Sequence, residues 1–293
     1  MGELAGGPPY YDPERLDVPD GWVLIDTAVP GSMRTVHRML FEALVSVDRY
    51  LSSHGIEYWL TGGTLLGAVR DGALLPWDDD IDIGMRRESF DILKALLAHH
   101  PVEGLAWRTP DSDPSMPRFV PGCFAIDGTA AVCQSSDHPE LRKPGLAVDV
   151  WPFDELPRAI LARAVDSLIR REHYVAESYR LNLIDSPQRF VGRMHEFVLR
   201  RTTRRQWAGA MRWLRRWGRH SGLWLYGTET GWHLSRASPE MFEPVGAVML
   251  YGRAFPAPRR PECYLEAKYG RDFRTPPPLE LRRPHNRYIA VAE

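Results

Sequence analysis

The chain has 293 residues, 44% apolar and 26% charged, with a formal net charge of −1. That composition excludes a disordered or collagen-like chain, and near-neutral charge argues against a protein that coats nucleic acid. No run of about 18 consecutive apolar residues occurs, and the acidic, Pro-rich first twenty residues lack the basic-then-apolar opening of a secretory signal, so a cytoplasmic location is expected.

Residues 1–30 read as an extended arm punctuated by Pro8, Pro9, Pro13, Pro19 and Pro30. A helix is predicted to begin at Ser32 as N-cap, with an apolar stripe of Val36, Leu40, Ala43, Leu44, Val47 and Leu51 at spacings of three and four, and with Gly55 as its C-terminal glycine. A buried strand is predicted at 56–60, a Gly62-Gly63 turn, a short helix at 64–70 stopped by Gly72, and a second strand at 78–85. A helix at about 88–99, strands at 118–126, 129–135 and 146–151, and helices at about 157–182 and 188–219 complete the pattern, and the remainder reads as irregular. Strands interleaved with helices, then mostly helices, describe an α+β fold with a helical appendage. The expected division is an arm at 1–30, a core at 31–155, a helical region at 156–244 and a C-terminal segment at 245–293.

Cys123, Cys133 and Cys263 are too few and too scattered for a disulfide framework or a structural zinc site, and are read as reduced thiols. Charge is unevenly spread. Residues 189–220 hold ten Arg against Glu196, a segment of +9 that leaves −10 for the rest. Within it Trp207, Met211, Leu214 and Trp217 form one apolar stripe. This helix either packs its stripe on the core, or makes a peripheral contact with an anionic membrane or an anionic glycan.

The strongest chemical signal is Pro76-Trp77-Asp78-Asp79-Asp80-Ile81-Asp82-Ile83, four carboxylates in five positions. In an extended chain Asp78, Asp80 and Asp82 share a face, with neighbouring Cα atoms about 6.6–6.8 Å apart, and Asp79 points the other way. Like charges so close raise one another's proton affinity unless a cation sits between them. A hard divalent ion, Mg²⁺ or Mn²⁺, suits an all-oxygen donor set shared with substrate phosphates. Upstream, Gly62-Gly63 opening a helix offers backbone N–H groups to a phosphate. A P-loop reading fails there because Ala68-Val69 stands where Lys-Ser/Thr is required. Arg70, between turn and acidic strand, is a fixed cation suited to phosphate. Asp149, in Val148-Asp149-Val150-Trp151-Pro152-Phe153-Asp154, completes a metal-binding trio if its strand lies beside the first. Trp107, Trp151, Tyr251 and Tyr269 are candidates to stack on a cytosine or cage a choline ammonium, with core packing as the alternative for each.

The run Trp59-Leu60-Thr61-Gly62-Gly63-Thr64-Leu65-Leu66-Gly67-Ala68-Val69-Arg70, followed by the acidic strand, resembles the signature of LicD-type transferases. These are relatives of the fukutin and fukutin-related proteins within the nucleotidyltransferase superfamily. The likeness continues at 148–154 and returns at 252–256, Tyr264-Leu265, Tyr269-Gly270, 276–278 and His285, whereas 156–244 carries no likeness. The zinc-binding insertion of the fukutin-related enzymes has no counterpart among these cysteines. The resemblance implies a polymerase-β-like mixed-sheet core, closed by the C-terminal segment. Its glycine turn (Gly62, Gly63, Thr64), with Arg70, would hold the donor phosphate, and Asp78, Asp80, Asp82 and Asp149 would hold Mg²⁺. Asp149 is then the candidate to orient or deprotonate the nucleophile, with Asp80, Asp82 and Arg70 as further catalytic residues. The implied reaction moves a phospho-alcohol, phosphocholine or ribitol phosphate, from a CDP donor such as CDP-choline to a hydroxyl of a glycan or related acceptor, with release of CMP. The competing readings are a nucleotidyltransferase that delivers NMP from an NTP to a small hydroxylated molecule, and a catalytically inactive nucleotide-binding protein.

Overall fold

A computed structural model describes residues 18–109, 111–113, 120–133, 141–142, 145–155, 213, 224–226 and 235–293. The helices expected at 157–182 and 188–219, and the basic stripe, lie outside the described residues apart from Trp213. The described part is a mixed α/β structure. Among the described residues no helix is long and apolar enough to cross a membrane.

Strand β1 (Trp22–Asp26) comes from the stretch expected to be an extended arm, and leads into helix α1 (Met33–Ser53). The buried residues of α1 are the six of the predicted stripe. Its start differs from expectation: Ser32 is already helical and makes no capping bond, its hydroxyl donating instead to the Val29 carbonyl at 2.8 Å. The C-terminus closes as a Schellman motif, Gly55 N–H bonding Ser52 O and Ile56 N–H bonding Leu51 O, with Gly55 at φ 64°. The pair β2 (Trp59–Leu60) and α2 (Gly62–Asp71) follows, and Gly72 at φ 65° ends α2. Strand β3 (Ile81–Arg86) starts three residues later than predicted, so Asp78, Asp79 and Asp80 sit on the approach to the strand and not within it.

Next come α3 (Arg87–Leu97), β4 (Leu105–Arg108), β5 (Cys123–Ile126), β6 (Thr129–Cys133), β7 (Leu141–Arg142) and β8 (Ala147–Glu155). The described residues after 220 are not irregular. They hold β9 (Trp224–Tyr226), β10 (Ser235–Ala237), α4 (Pro239–Phe242), the hairpin β11 (Gly246–Leu250) and β12 (Arg253–Ala257), α5 (Pro261–Tyr269) and β13 (Asn286–Ala292).

The central sheet runs β10-β9-β8-β3-β2, with β5 also on β8 and β4 on β5. The β3–β8 ladder is parallel, while β2, β5 and β9 join antiparallel, so the sheet is mixed. A second, antiparallel sheet orders β1-β13-β6-β7 and ties the first described strand to the last. Helix α1 packs its apolar stripe with Trp59, Ile81, Ile83, Val148 and Val150 in one core. Near the end of β8, Asp154 is fully buried and meets Arg87 in a two-pronged ion pair, Nε–Oδ1 at 2.8 Å and Nη2–Oδ2 at 2.9 Å.

Candidate metal and phosphate site

The parallel pairing of β3 and β8 sets Asp82 opposite Asp149, flanked by the apolar pairs Ile81–Val148 and Ile83–Val150. Alternation along each strand buries those neighbours and leaves the two carboxylates on the opposite face. Asp80, one residue before β3, turns towards them. Carboxylate oxygens of Asp80, Asp82 and Asp149 all lie within 4.8 Å of one another, a spacing that could bind a metal.

Asp78 lies outside this trio, with its carboxylate against the glycine turn: a Cβ on Gly63 would come 2.4 Å from Asp78 Oδ2. A Cβ on Gly62 would stand 2.0 Å from Asp82 Oδ2, and Gly62 has φ 57°. Any side chain at either position would displace a carboxylate, which is why two glycines open α2. Asp79 points the other way. Its Oδ1 accepts the His285 N–H at 2.8 Å, and its Oδ2 accepts the Asn286 N–H at 2.9 Å and the Asn286 amide at 2.7 Å.

Asp82 is held firmly: the Trp151 indole N–H donates to its Oδ1 at 2.7 Å, and its backbone N–H donates to the Thr64 hydroxyl at 2.8 Å. Burial, reinforced by the neighbouring carboxylates, pushes the Asp80 and Asp149 carboxyls well above their ordinary range. The same causes, burial first and Asp82 next, bring Asp78 up to about 7. Three crowded carboxylates that offer only oxygen fit a hard divalent cation, which would relieve their repulsion.

Cations surround the cluster. His285 Nε2 stands 3.9 Å from Asp80 Oδ2, and Asp80 raises its pKa above the usual histidine value. Burial lowers the Lys268 ammonium to about 8, against the opposing pull of Asp82. Arg70 is engaged with its neighbour Asp71 through Nε at 2.9 Å and Nη2 at 2.7 Å, and its guanidinium lies 5.7 Å from the centre of the Trp77 ring. Its Nη1 is buried with no hydrogen-bond partner among the described residues.

Sequence reasoning did not single out His37, Lys268 or the pairing of Thr61 with Tyr264, whose hydroxyls meet at 2.6 Å. These reach the site from 41 to 203 positions away in sequence, and no local spacing marks them. Of the four aromatic candidates, Trp107 packs edge-on against Phe124 with ring centres 5.1 Å apart, and Trp151 is a buried donor to Asp82. Tyr251 and Tyr269 are exposed.

Residues 55–194 match the family described as LicD/FKTN/FKRP, nucleotidyltransferase domain, so the match runs past residue 155 into the stretch whose motifs carried no likeness. Over 121 residues the chain is 32% identical to ribitol 5-phosphate transferase FKRP of Homo sapiens, and equally to that of Mus musculus, covering 40% of this chain and 20% of each relative. Over 35 residues it is 54% identical to lipopolysaccharide cholinephosphotransferase LicD of Haemophilus influenzae, covering 12% of this chain and 13% of that protein. The aligned parts thus span a fifth or less of these relatives. The matched segment carries Gly62, Gly63, Asp80, Asp82 and Asp149, so the domain match to the LicD family at 55–194 spans both the glycine turn and the acidic trio.

Proposed function

We propose that this protein is a Mg²⁺-dependent transferase that moves a phospho-alcohol from a CDP-activated donor to a hydroxyl of a glycan or related acceptor, releasing CMP. The observation that carries this reading is the convergence of the Asp80, Asp82 and Asp149 carboxylates beside the Gly62-Gly63 turn. The relatives support the class of group moved, ribitol 5-phosphate in one and cholinephosphate in the other. In this reading residues 31–155 form a polymerase-β-like core and 245–293 close over it.

Asp80, Asp82 and Asp149 would hold the ion, with Asp78 beside them. When bound, Mg²⁺ or Mn²⁺ would neutralise charge that develops on the phosphoryl oxygens. Backbone N–H groups of Gly62 and Gly63, at the positive end of α2, bind the donor phosphate. Arg70, with its unpaired Nη1, adds a fixed positive charge. Trp151 holds the Asp82 carboxylate in place, and Thr64 anchors its backbone N–H. The acceptor oxygen attacks phosphorus in line, the bond from phosphorus to the CMP oxygen breaks, and the acceptor proton passes to Asp149.

Thermal-shift binding with CDP-choline, CDP-ribitol, CDP-glycerol, CTP and ATP, each with Mg²⁺ and with EDTA, tests the proposal, since a ligand that binds only the folded state raises its apparent stability. Metal-dependent stabilisation by a CDP-alcohol, followed by CMP release with an acceptor, is the expected result. Stabilisation by CTP or ATP alone, with pyrophosphate release, would replace it with NMP transfer. No response to any nucleotide would return the protein to a non-catalytic role.

A further inference from the structure

The β11–β12 hairpin turns through Tyr251-Gly252, at φ 50° and 78°. A two-residue turn with both residues left-handed favours Asn-Gly or Asp-Gly, and a bulky first residue is strained there. Tyr251 is the one non-glycine residue at positive φ among the described residues. The hairpin has other anchors. Arg253 binds Asp48 of α1 at 2.6 Å, and Phe255 is buried in the core.

Tyr251 instead reaches the segment that carries the carboxylates. Its hydroxyl accepts the Leu74 N–H at 3.2 Å and faces His37 Nδ1 at 3.4 Å. On the far side of the ring, His37 Nε2 lies 2.9 Å from the Asp78 carbonyl oxygen. A carbonyl only accepts, so Nε2 carries the proton and Nδ1 is the acceptor for the tyrosine hydroxyl. The result is one directional chain, Leu74 N–H to Tyr251 O–H to His37, ending on the backbone of Asp78. Burial lowers the His37 pKa and favours the neutral ring that the chain requires.

We propose that Tyr251 and His37 are a positioning pair that fixes the backbone of residues 72–80 and so places Asp78 and Asp80 against Asp82 and Asp149. The strained turn is the cost of directing a tyrosine hydroxyl to this segment. The inference rests on the metal-site reading above, and its test separates the two.

Tyr251→Phe removes the hydroxyl, and Tyr251→Asn removes it while suiting the turn. Both are compared with the wild-type protein by amide exchange of a peptide spanning 76–81, by isothermal titration with Mg²⁺ and Mn²⁺, and by melting temperature. Faster exchange at 76–81 and about tenfold weaker metal binding are expected in both variants, with the melting temperature of Tyr251→Asn at or above that of wild type. Unchanged exchange and unchanged metal affinity in both variants would overturn the proposal. If wild-type protein binds neither ion, the metal reading fails on its own, and the exchange comparison alone decides the positioning role.

Discussion

Asp82 of β3 and Asp149 of β8 are register partners across a parallel ladder. Directly opposed residues on neighbouring strands are about 4.8 Å apart, so the sheet itself brings two carboxylates together, and Asp80 makes a third. Folding gains nothing from this repulsion. In EDTA at neutral pH, Asp149→Asn and Asp80→Asn should therefore melt higher than wild type, while turnover falls on the order of a hundredfold or more. Melting curves in EDTA and in Mg²⁺ check this. A variant that melts lower than wild type in EDTA would show the carboxylate to be structurally required.

The same crowding sets a pH dependence. Asp78, Asp80 and Asp149 bind their protons more tightly folded than unfolded, with Asp78 at about 7 against an ordinary 3.8. The folded state then holds more protons than the unfolded state at intermediate pH, and stability falls as pH rises. Metal-free protein should be stabilised below pH 4 by these groups and lose that stabilisation progressively as pH rises through about 7. Saturating Mg²⁺ should flatten the slope, because the ion replaces the protons. Denaturant midpoints from pH 4.5 to 8, with and without Mg²⁺, measure it. Identical slopes in the two series would argue against a metal at these residues.

The central elements were legible because their signals are local. The α1 stripe, the Gly62-Gly63 turn and the apolar alternation around Asp82 and around Asp149 each rest on residues only a few positions apart, and local spacing reveals them. The start of β3 was misplaced because Asp78 and Asp79 take their structure from distant partners. Asp79 is bound by His285 and Asn286, and Asp78 by His37. For the same reason the C-terminal region read as irregular. Strand β13 gains its definition from β1 and β6, more than 150 positions away, and its own sequence carries little alternation. The strand at 22–26 was hidden in a Pro-rich stretch, since its pairing partner is the end of the described chain.

The Arg87–Asp154 pair joins α3 to β8 below the site, with Asp154 wholly buried and both carboxylate oxygens bonded. Removing one partner leaves the other charge buried without compensation, at a cost of about 3–5 kcal/mol. Arg87→Met and Asp154→Asn should each lower stability by that order, whereas the double change Arg87→Met with Asp154→Leu should recover much of it. A double-mutant cycle by denaturant unfolding gives the coupling. Additive single effects would mean that the pair contributes little beyond packing.

Gly62 and Gly55 provide a matched test of why α2 begins with glycine. Both hold left-handed backbone, at φ 57° and 64°, but a Cβ on Gly55 meets nothing within 4 Å, whereas one on Gly62 would strike Asp82 Oδ2 at 2.0 Å. Gly55→Ala should therefore incur only the conformational penalty, about 1–2 kcal/mol. Gly62→Ala incurs that penalty and must also push Asp82 out of the trio, breaking its bond from Trp151. It should lose more stability than Gly55→Ala and weaken Mg²⁺ binding about tenfold or more, while Gly55→Ala binds the ion like wild type. Denaturant unfolding and isothermal titration on the two variants separate backbone strain from carboxylate displacement. If Gly62→Ala binds metal as tightly as Gly55→Ala, Asp82 is not held against the turn in the way described, and the glycine there serves the backbone alone.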